Sequence, residues 1–181
     1  HKAVVTSDAK ILNSMDKLVL PGVGAFGDGM EKLRKLELID PLSEMVCEDG
    51  KAILGICLGS QLLTHRSDEF GSHEGFGWVP AEVRLLKPSD SSLRVPHVGW
   101  NDLFIKRESV LFTGLSSTPL FYYVHSYYIE PIECKIILGE CDYGVRFVSA
   151  FQHDNIYGTQ FHPEKSQLDG LKLIKNFIEL T

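Results

Sequence analysis

Hydrophobic residues gather along this chain in short runs whose spacing changes from one part to the next. Lys17-Leu18-Val19-Leu20 is an apolar run stopped by Pro21-Gly22, the pattern of a buried strand meeting a turn. Met30, Leu33 and Leu36 then fall on one helical face, and Leu42, Met45 and Val46 mark another helical stretch. Ala52-Ile53-Leu54-Gly55-Ile56 is the second buried run, and it leads straight into Leu58, Leu62 and Leu63 at helical spacing. Ala3-Val4-Val5 adds a strand-like stretch at the start. Alternating strand and helix is the signature of a parallel sheet covered on its faces.

The middle of the chain changes character. Segments 81–85, 99–105, 120–129, 135–139, 145–151 and 156–161 read as strands, most of them separated by Gly, Pro, Asp or Ser. Leu171, Ile174, Phe177 and Ile178 close the chain as an amphipathic helix. With no repeat, linker or low-complexity segment, residues 1–181 are expected to form one α/β domain, antiparallel strands being added to a parallel core.

Composition narrows the class. A chain of 181 residues closes a single large core, and 44% hydrophobic with 23% charged residues is an ordinary soluble balance. A net charge of -6 argues against sequence-independent nucleic-acid binding, and no apolar run approaches the ~20 residues that span a bilayer. His1-Lys2-Ala3 opens no leader-like pattern, so a cytoplasmic protein with neither nucleic-acid nor membrane partner is expected. The four cysteines form no C-x-x-C pair and no zinc-like spacing with the seven histidines, so no metal site is expected. Cys47, Cys134 and Cys141 read as core fillers.

Cys57 has a different setting. Gly55-Ile56-Cys57-Leu58-Gly59 is G-x-C-x-G between a predicted strand and a predicted helix, the thiol counterpart of the G-x-S-x-G elbow. Small residues two before and two after the cysteine keep so tight a turn free of clashes. A helix start beside the sulfur favours thiolate, and the Leu58 N–H can point at an oxyanion. A buried structural cysteine at a strand end fits the motif equally well when it is taken alone.

A thiol nucleophile needs a base, and the base needs a third group to fix its tautomer. Gln160-Phe161-His162-Pro163-Glu164-Lys165 offers both, since Pro163 holds His162 extended and residues two apart then share a side. Glu164 can reach one ring nitrogen of His162 while the other faces Cys57. His65, His73 and His153 lack such a setting and read as surface or loop residues. Gly22-Val23-Gly24-Ala25-Phe26-Gly27 matches a dinucleotide loop, but Pro21 lies in the turn and the next strand ends in Cys57, where an acidic ribose partner is required. Close backbone approach to a substrate carbonyl, as a second oxyanion donor, is the better use of these glycines.

Five segments taken in order carry a resemblance. Pro21-Gly22-Val23-Gly24, Gly55-Ile56-Cys57-Leu58-Gly59-Ser60-Gln61, Pro96-His97-Val98-Gly99-Trp100-Asn101, Tyr123-Val124-His125-Ser126-Tyr127 and the run from Gln160 to Ser166 resemble the class I (triad) glutamine amidotransferases. The P-H-V-G-W-N segment is most similar to the glutaminase subunits of the imidazole glycerol phosphate synthase type. The resemblance implies a flavodoxin-like, mixed and mostly parallel sheet flanked by helices, with an added antiparallel portion. It also implies that Cys57 attacks the side-chain amide of glutamine, with His162 as base and then acid, and Glu164 orienting His162. Val23 and Leu58 then supply the oxyanion hole, and Gly24, Gln61, Glu69, Ser126 and Tyr127 hold the substrate. His97, Trp100 and Lys165 face a (β/α)8-barrel synthase subunit that receives the ammonia, and no cofactor is implied.

Three departures from the family pattern stand out. Position 60 is Ser where this subunit type commonly has Met. His73 to Trp78 and Lys165-Ser166-Gln167 lean toward paralogous subunits of surface-sugar biosynthesis, which leaves the pathway open between sugars and histidine. Family members also begin with a strand, a loop and a helix ahead of what is here His1, so the chain is expected to lack them. A γ-glutamyl hydrolase or peptidase on the same scaffold, and a subunit that has lost activity, are the remaining alternatives; Gln61 and the P-H-V-G-W-N segment speak against the first, and the intact Cys57, His162 and Glu164 against the second.

Overall fold

The computed structural model describes residues 1–181. Residues 3–5 are irregular, with Val5 fully exposed, so the strand expected there does not form. Two β-branched residues make a strand only where a ladder partner and a covered face are available. The first element is α1 (Ala9–Asn13), whose cap Asp8 accepts a hydrogen bond from the Lys10 N–H at 2.8 Å. Then come β1 (Leu18–Gly22), α2 (Phe26–Lys35), α3 (Ile39–Ser43), β2 (Ile53–Cys57) and α4 (Leu58–Leu62). The next strands are β3 (Thr64–Ser67), β4 (His73–Glu74), β5 (Val79–Leu85), β6 (His97–Asp102) and β7 (Phe104–Ile105). The chain ends with β8 (Leu120–His125), β9 (Tyr127–Pro131), β10 (Ile137–Asp142), β11 (Arg146–His153), β12 (Ile156–Thr159) and α5 (Gln167–Leu180).

Ten strands make one curled sheet in the order β1-β2-β12-β11-β9-β5-β3-β4, with β10 beside β11 and β7 beside β10. Parallel pairing is confined to β1–β2, β2–β12 and β3–β5, so the antiparallel portion is larger than the parallel core. The chain is nonetheless the expected α/β fold, a mixed sheet flanked by helices. Pro21 is tolerated in a ladder because β1 is an edge strand.

Alternation along the strands assigns the two faces. Ile53 and Val148 point into one cluster with Phe26, Met30 and Leu62, whereas Leu54, Ile56 and Phe147 join Tyr123, Leu173 and Phe177 on the other. Helices α2, α3 and α4 therefore cover one face. Helix α5 and a separate β6–β8 ribbon cover the other. The buried face of α5 is Gly170, Leu173 and Phe177, while Leu171 is exposed, so the expected stripe is rotated. Gly170 sets that rotation, because a Cβ there would run into the Pro163 carbonyl oxygen. Lys17 Nζ closes the end of α5 by donating to the carbonyls of Phe177, Ile178 and Thr181 at 3.0, 2.8 and 2.6 Å.

Strand β2 is buried at every residue and lies between two parallel neighbours. Its last residue is Cys57, at the carboxyl end of the parallel strands, where open α/β sheets place their ligands.

Candidate active site

Cys57 adopts φ 52° and ψ -113°, a strained conformation for a residue with a side chain. The surrounding glycines explain why it persists. A Cβ on Gly55 would lie 2.5 Å from Ser60 Cα, and one on Gly59 would strike the Leu20 carbonyl oxygen. On Gly22 it would sit 3.0 Å from the Gly59 nitrogen. Strand β1, the elbow and α4 therefore close on one another only with glycine at 55 and 59, and most tightly with glycine at 22 as well. Ser60, the departure from the family's usual residue, is buried and donates its hydroxyl to the Cys57 carbonyl at 2.7 Å, tying the elbow down.

The glycine-rich loop has structural reasons of its own. Gly24 takes φ 102° with open space around its Cβ position, so it is conformation that demands glycine there. Gly27 lies under the ring of His73, which belongs to β4. Val23 and Gly24 line a cavity of about 170 Å³ together with Cys57, Leu58, Gln61, Glu69, Val124, His125, Ser126 and Tyr127. Every residue expected to bind substrate or stabilise an oxyanion therefore faces one space. Its size falls below the ~300–1,000 Å³ of drug-sized pockets and suits a free amino acid.

Glu69 is fixed by the Phe26 N–H, which donates to its carboxylate at 2.8 Å. Gln61 donates both amide hydrogens inward, to the Tyr127 carbonyl at 3.0 Å and to Gln160 Oε1 at 3.1 Å. The group left for a further partner is its carbonyl oxygen.

His162 is extended, at φ -100° and ψ 92°, as Pro163 requires. Glu164 reaches it from a one-turn 3-10 helix at Pro163–Lys165 rather than along an extended chain. His162 Nδ1 donates to Glu164 Oε1 at 2.8 Å, which leaves Nε2 as the bare nitrogen. That Nε2 is buried and has no hydrogen-bond partner. The His162 backbone N–H donates to the Tyr122 carbonyl at 2.9 Å, and the Cys57 thiol donates to the Val124 carbonyl at 3.8 Å, long even for sulfur. Both residues are thus anchored two positions apart on β8, whose alternate carbonyls point the same way. No hydrogen bond joins them in this state.

Burial drives the Cys57 thiol up to about 11, and the Leu58 N–H and the Gln160 amide pull against it. The expectation that a helix start would favour thiolate is outweighed here, because α4 is a single short turn and desolvation dominates. Cys57 therefore rests as a protonated thiol.

The residues expected to face a partner divide. Trp100 is 43% exposed, packs edge-on against Tyr122, and has Val98 exposed beside it. Lys165 lies 5.8 Å above the Tyr122 ring. The His97 ring, in contrast, is buried between Tyr123 and Tyr143, so it does not present a surface. Cys47 and Cys134 are exposed and only Cys141 is buried, which corrects the reading of all three as core fillers. Cys134 opens a one-turn helix between strands, and Cys47 lies on the outer side of a π turn at Glu44–Glu48, so neither faces a cluster. Sequence reasoning gave no role to Gln160, Val124 or His125, which touch or surround the sulfur; a Gln two residues before the predicted base was the available signal.

The family model described as "Glutamine amidotransferase class-I" matches residues 2–180. A relative named "Imidazole glycerol phosphate synthase subunit HisH" from Aquifex aeolicus is 46% identical over 176 residues, covering 97% of this chain and 83% of that protein. A protein of the same name from Sulfurimonas denitrificans is 47% identical over 178 residues, covering 97% and 85%. A crystal structure titled as a glutamine amidotransferase superposes with a TM-score of 0.71 at 18% identity, over 97% of this chain and 84% of that one.

Proposed function

The chain belongs to the class I glutamine amidotransferases, and from that footing we propose how its residues hydrolyse glutamine as the glutaminase subunit of an imidazole glycerol phosphate synthase in histidine biosynthesis. The observation that carries the reading is the buried, unpartnered Nε2 of His162, its tautomer set by Glu164, together with a cysteine on a glycine-enforced elbow that is anchored to the same strand β8. A buried acceptor without a donor costs about 1–3 kcal/mol, and a thiol turned from the Val124 carbonyl toward His162 would relieve it.

In that geometry the Cys57 proton passes to His162 Nε2 as the sulfur attacks the side-chain carbonyl carbon of glutamine. The oxyanion is held by the backbone N–H groups of Leu58 and Val23. The same proton then goes to the leaving nitrogen, and ammonia departs as the thioester forms. Water, giving a proton to His162, attacks the thioester; that proton returns to the sulfur and glutamate leaves. Glu69, pinned by the Phe26 N–H, takes the ammonium end of the substrate, with Gly24, Ser126, Tyr127 and the Gln61 carbonyl oxygen around it.

The ammonia passes to a synthase subunit of (β/α)8-barrel type, docked on the exposed Trp100 and Lys165, with half-buried Tyr122 between them, and on the ribbon that begins at His97. Residues 1–181 act as one amidotransferase domain in the cytoplasm. Cys57→Ala should lower glutamine hydrolysis by several orders of magnitude, read as glutamate release with the partner present. Turnover retained in that variant would remove Cys57 from the mechanism.

A further inference from the structure

A continuous file of buried polar groups runs from the β6–β8 ribbon to the nucleophile. Its hub is the Tyr127 backbone carbonyl, which accepts from His125 Nδ1 at 2.9 Å and from Gln61 Nε2 at 3.0 Å. A carbonyl can only accept, so both neighbours are fixed as donors. In one direction, the second Gln61 hydrogen goes to Gln160 Oε1 at 3.1 Å, which turns the Gln160 amide nitrogen onto Cys57 Sγ at 3.7 Å. In the other, neutral His125 has donated from Nδ1, so its Nε2 must accept, and His97 Nδ1 donates to it at 3.1 Å. His97 Nε2 is then the acceptor for Asn101 Nδ2 at 3.5 Å, and Asn101 also donates to the Asp142 carbonyl at 3.0 Å. Gln160, Gln61, His125 and His97 are all 6% exposed or less. Every tautomer and amide orientation in the file follows from one carbonyl, and none can reverse without leaving a buried group unsatisfied.

Resting on the reading of Cys57 as nucleophile, we propose that Gln160 is a further catalytic residue: its amide N–H stabilises the Cys57 thiolate. Gln61, His125 and His97 are positioning residues that aim it. A sulfur losing its proton in a dry site needs a donor that arrives without reorganisation, and Gln160 is already held in place by Gln61. The file ends on the ribbon that carries the exposed Val98 and Trp100, so movement of that ribbon is transmitted to the sulfur through oriented hydrogen bonds. The titratable groups around Cys57 are His162, Glu164 and Lys165 on the segment after β12, His125 on β8, Tyr127 on β9, and Glu69 across the cavity.

The test is the pH dependence of iodoacetamide alkylation at Cys57 in the full chain. It is followed by mass spectrometry on the Cys57 peptide, because Cys47 and Cys134 are also accessible. Gln160→Met keeps the length and removes the donor. Its alkylation midpoint should rise by about one pH unit, about tenfold less thiolate at a given pH. Gln160→Glu still accepts from Gln61 but brings a carboxylate to the sulfur, and should raise the midpoint further, which keeps the test available if the Met variant folds poorly. His97→Phe should raise it by a smaller amount, and His97→Asn, whose amide nitrogen replaces Nδ1 as donor to His125, should return it toward the wild-type value. A wild-type midpoint in both Gln160 variants overturns the role of Gln160 while Cys57→Ala, if inactive, leaves the nucleophile in place. Identical profiles for His97→Phe and His97→Asn overturn the aiming file. An active Cys57→Ala variant instead removes the reading on which the inference stands.

Discussion

On the elbow side of the pocket, Cys57 sits where it does because glycines at 22, 55 and 59 let β1, β2 and α4 close around it. On the ribbon side, His125 and the Tyr127 carbonyl are held by directed hydrogen bonds between buried rings and amides. The first wall is steric and has one solution. The second is a balance of donors and acceptors, which a change in protonation or a shift of β6 can tip. A nucleophile with a strained backbone needs the first kind of wall, and a site that responds to a docked partner needs the second.

The largest effect should come from breaking the steric wall. Gly59→Ala places a methyl group against the Leu20 carbonyl oxygen, a backbone atom that cannot swing aside. More than about 4 kcal/mol of stability should be lost, read by denaturant unfolding. A variant with unchanged midpoint would mean that the elbow tolerates another packing.

Next is the base. His162→Gln should lower kcat about 10³-fold, within the range for general acid–base catalysis. Glu164→Gln should cost less, about 10- to 100-fold, because the Glu164 side chain is 45% exposed and solvent shares its role. Steady-state glutamate release with the partner present checks both, and equal losses would contradict this ranking.

The effect at the ribbon is on stability and is spread over a range of pH. Burial lowers His97 from 6.5 to about 4 and His125 from 6.5 to about 3, so both rings are neutral in the folded chain. On acidification the unfolded chain binds protons first, and the folded state loses stability as pH falls below about 6.5. Each ring contributes a slope of up to about 1.4 kcal/mol per pH unit, which ends once pH passes its folded value. His97→Asn removes one of the two contributions, so its unfolding midpoint should fall less steeply between pH 6.5 and 4. A slope equal to wild type would show that the ring is not buried neutral.

The same contrast explains what was legible in the sequence. The elbow, the H-x-E pair and the buried strand β2 could be read because each leaves a mark within a few consecutive residues: glycines flanking Cys57, Pro163 between His162 and Glu164, and an unbroken apolar run. Strand β3, Thr64-His65-Arg66-Ser67, carries no apolar alternation and exists because β5 and β4 pair with it. His97 was expected at a surface, yet its ring is covered by Tyr143 and Tyr123, residues far along the chain whose approach no local pattern encodes. Gln160 was passed over for the same reason. Its partners are Gln61 and Cys57, about a hundred positions away, and only the closed sheet brings them together.

The direct test of Cys57 and His162 as one unit is labelling by a glutamine-like electrophile, mapped by mass spectrometry near neutral pH with the partner present. One adduct on Cys57, none on the exposed Cys47 and Cys134, and a sharply slower reaction in His162→Gln are the expected results. Glutamine hydrolysis that proceeds with Cys57 unlabelled, or labelling at the same rate without His162, would contradict the account.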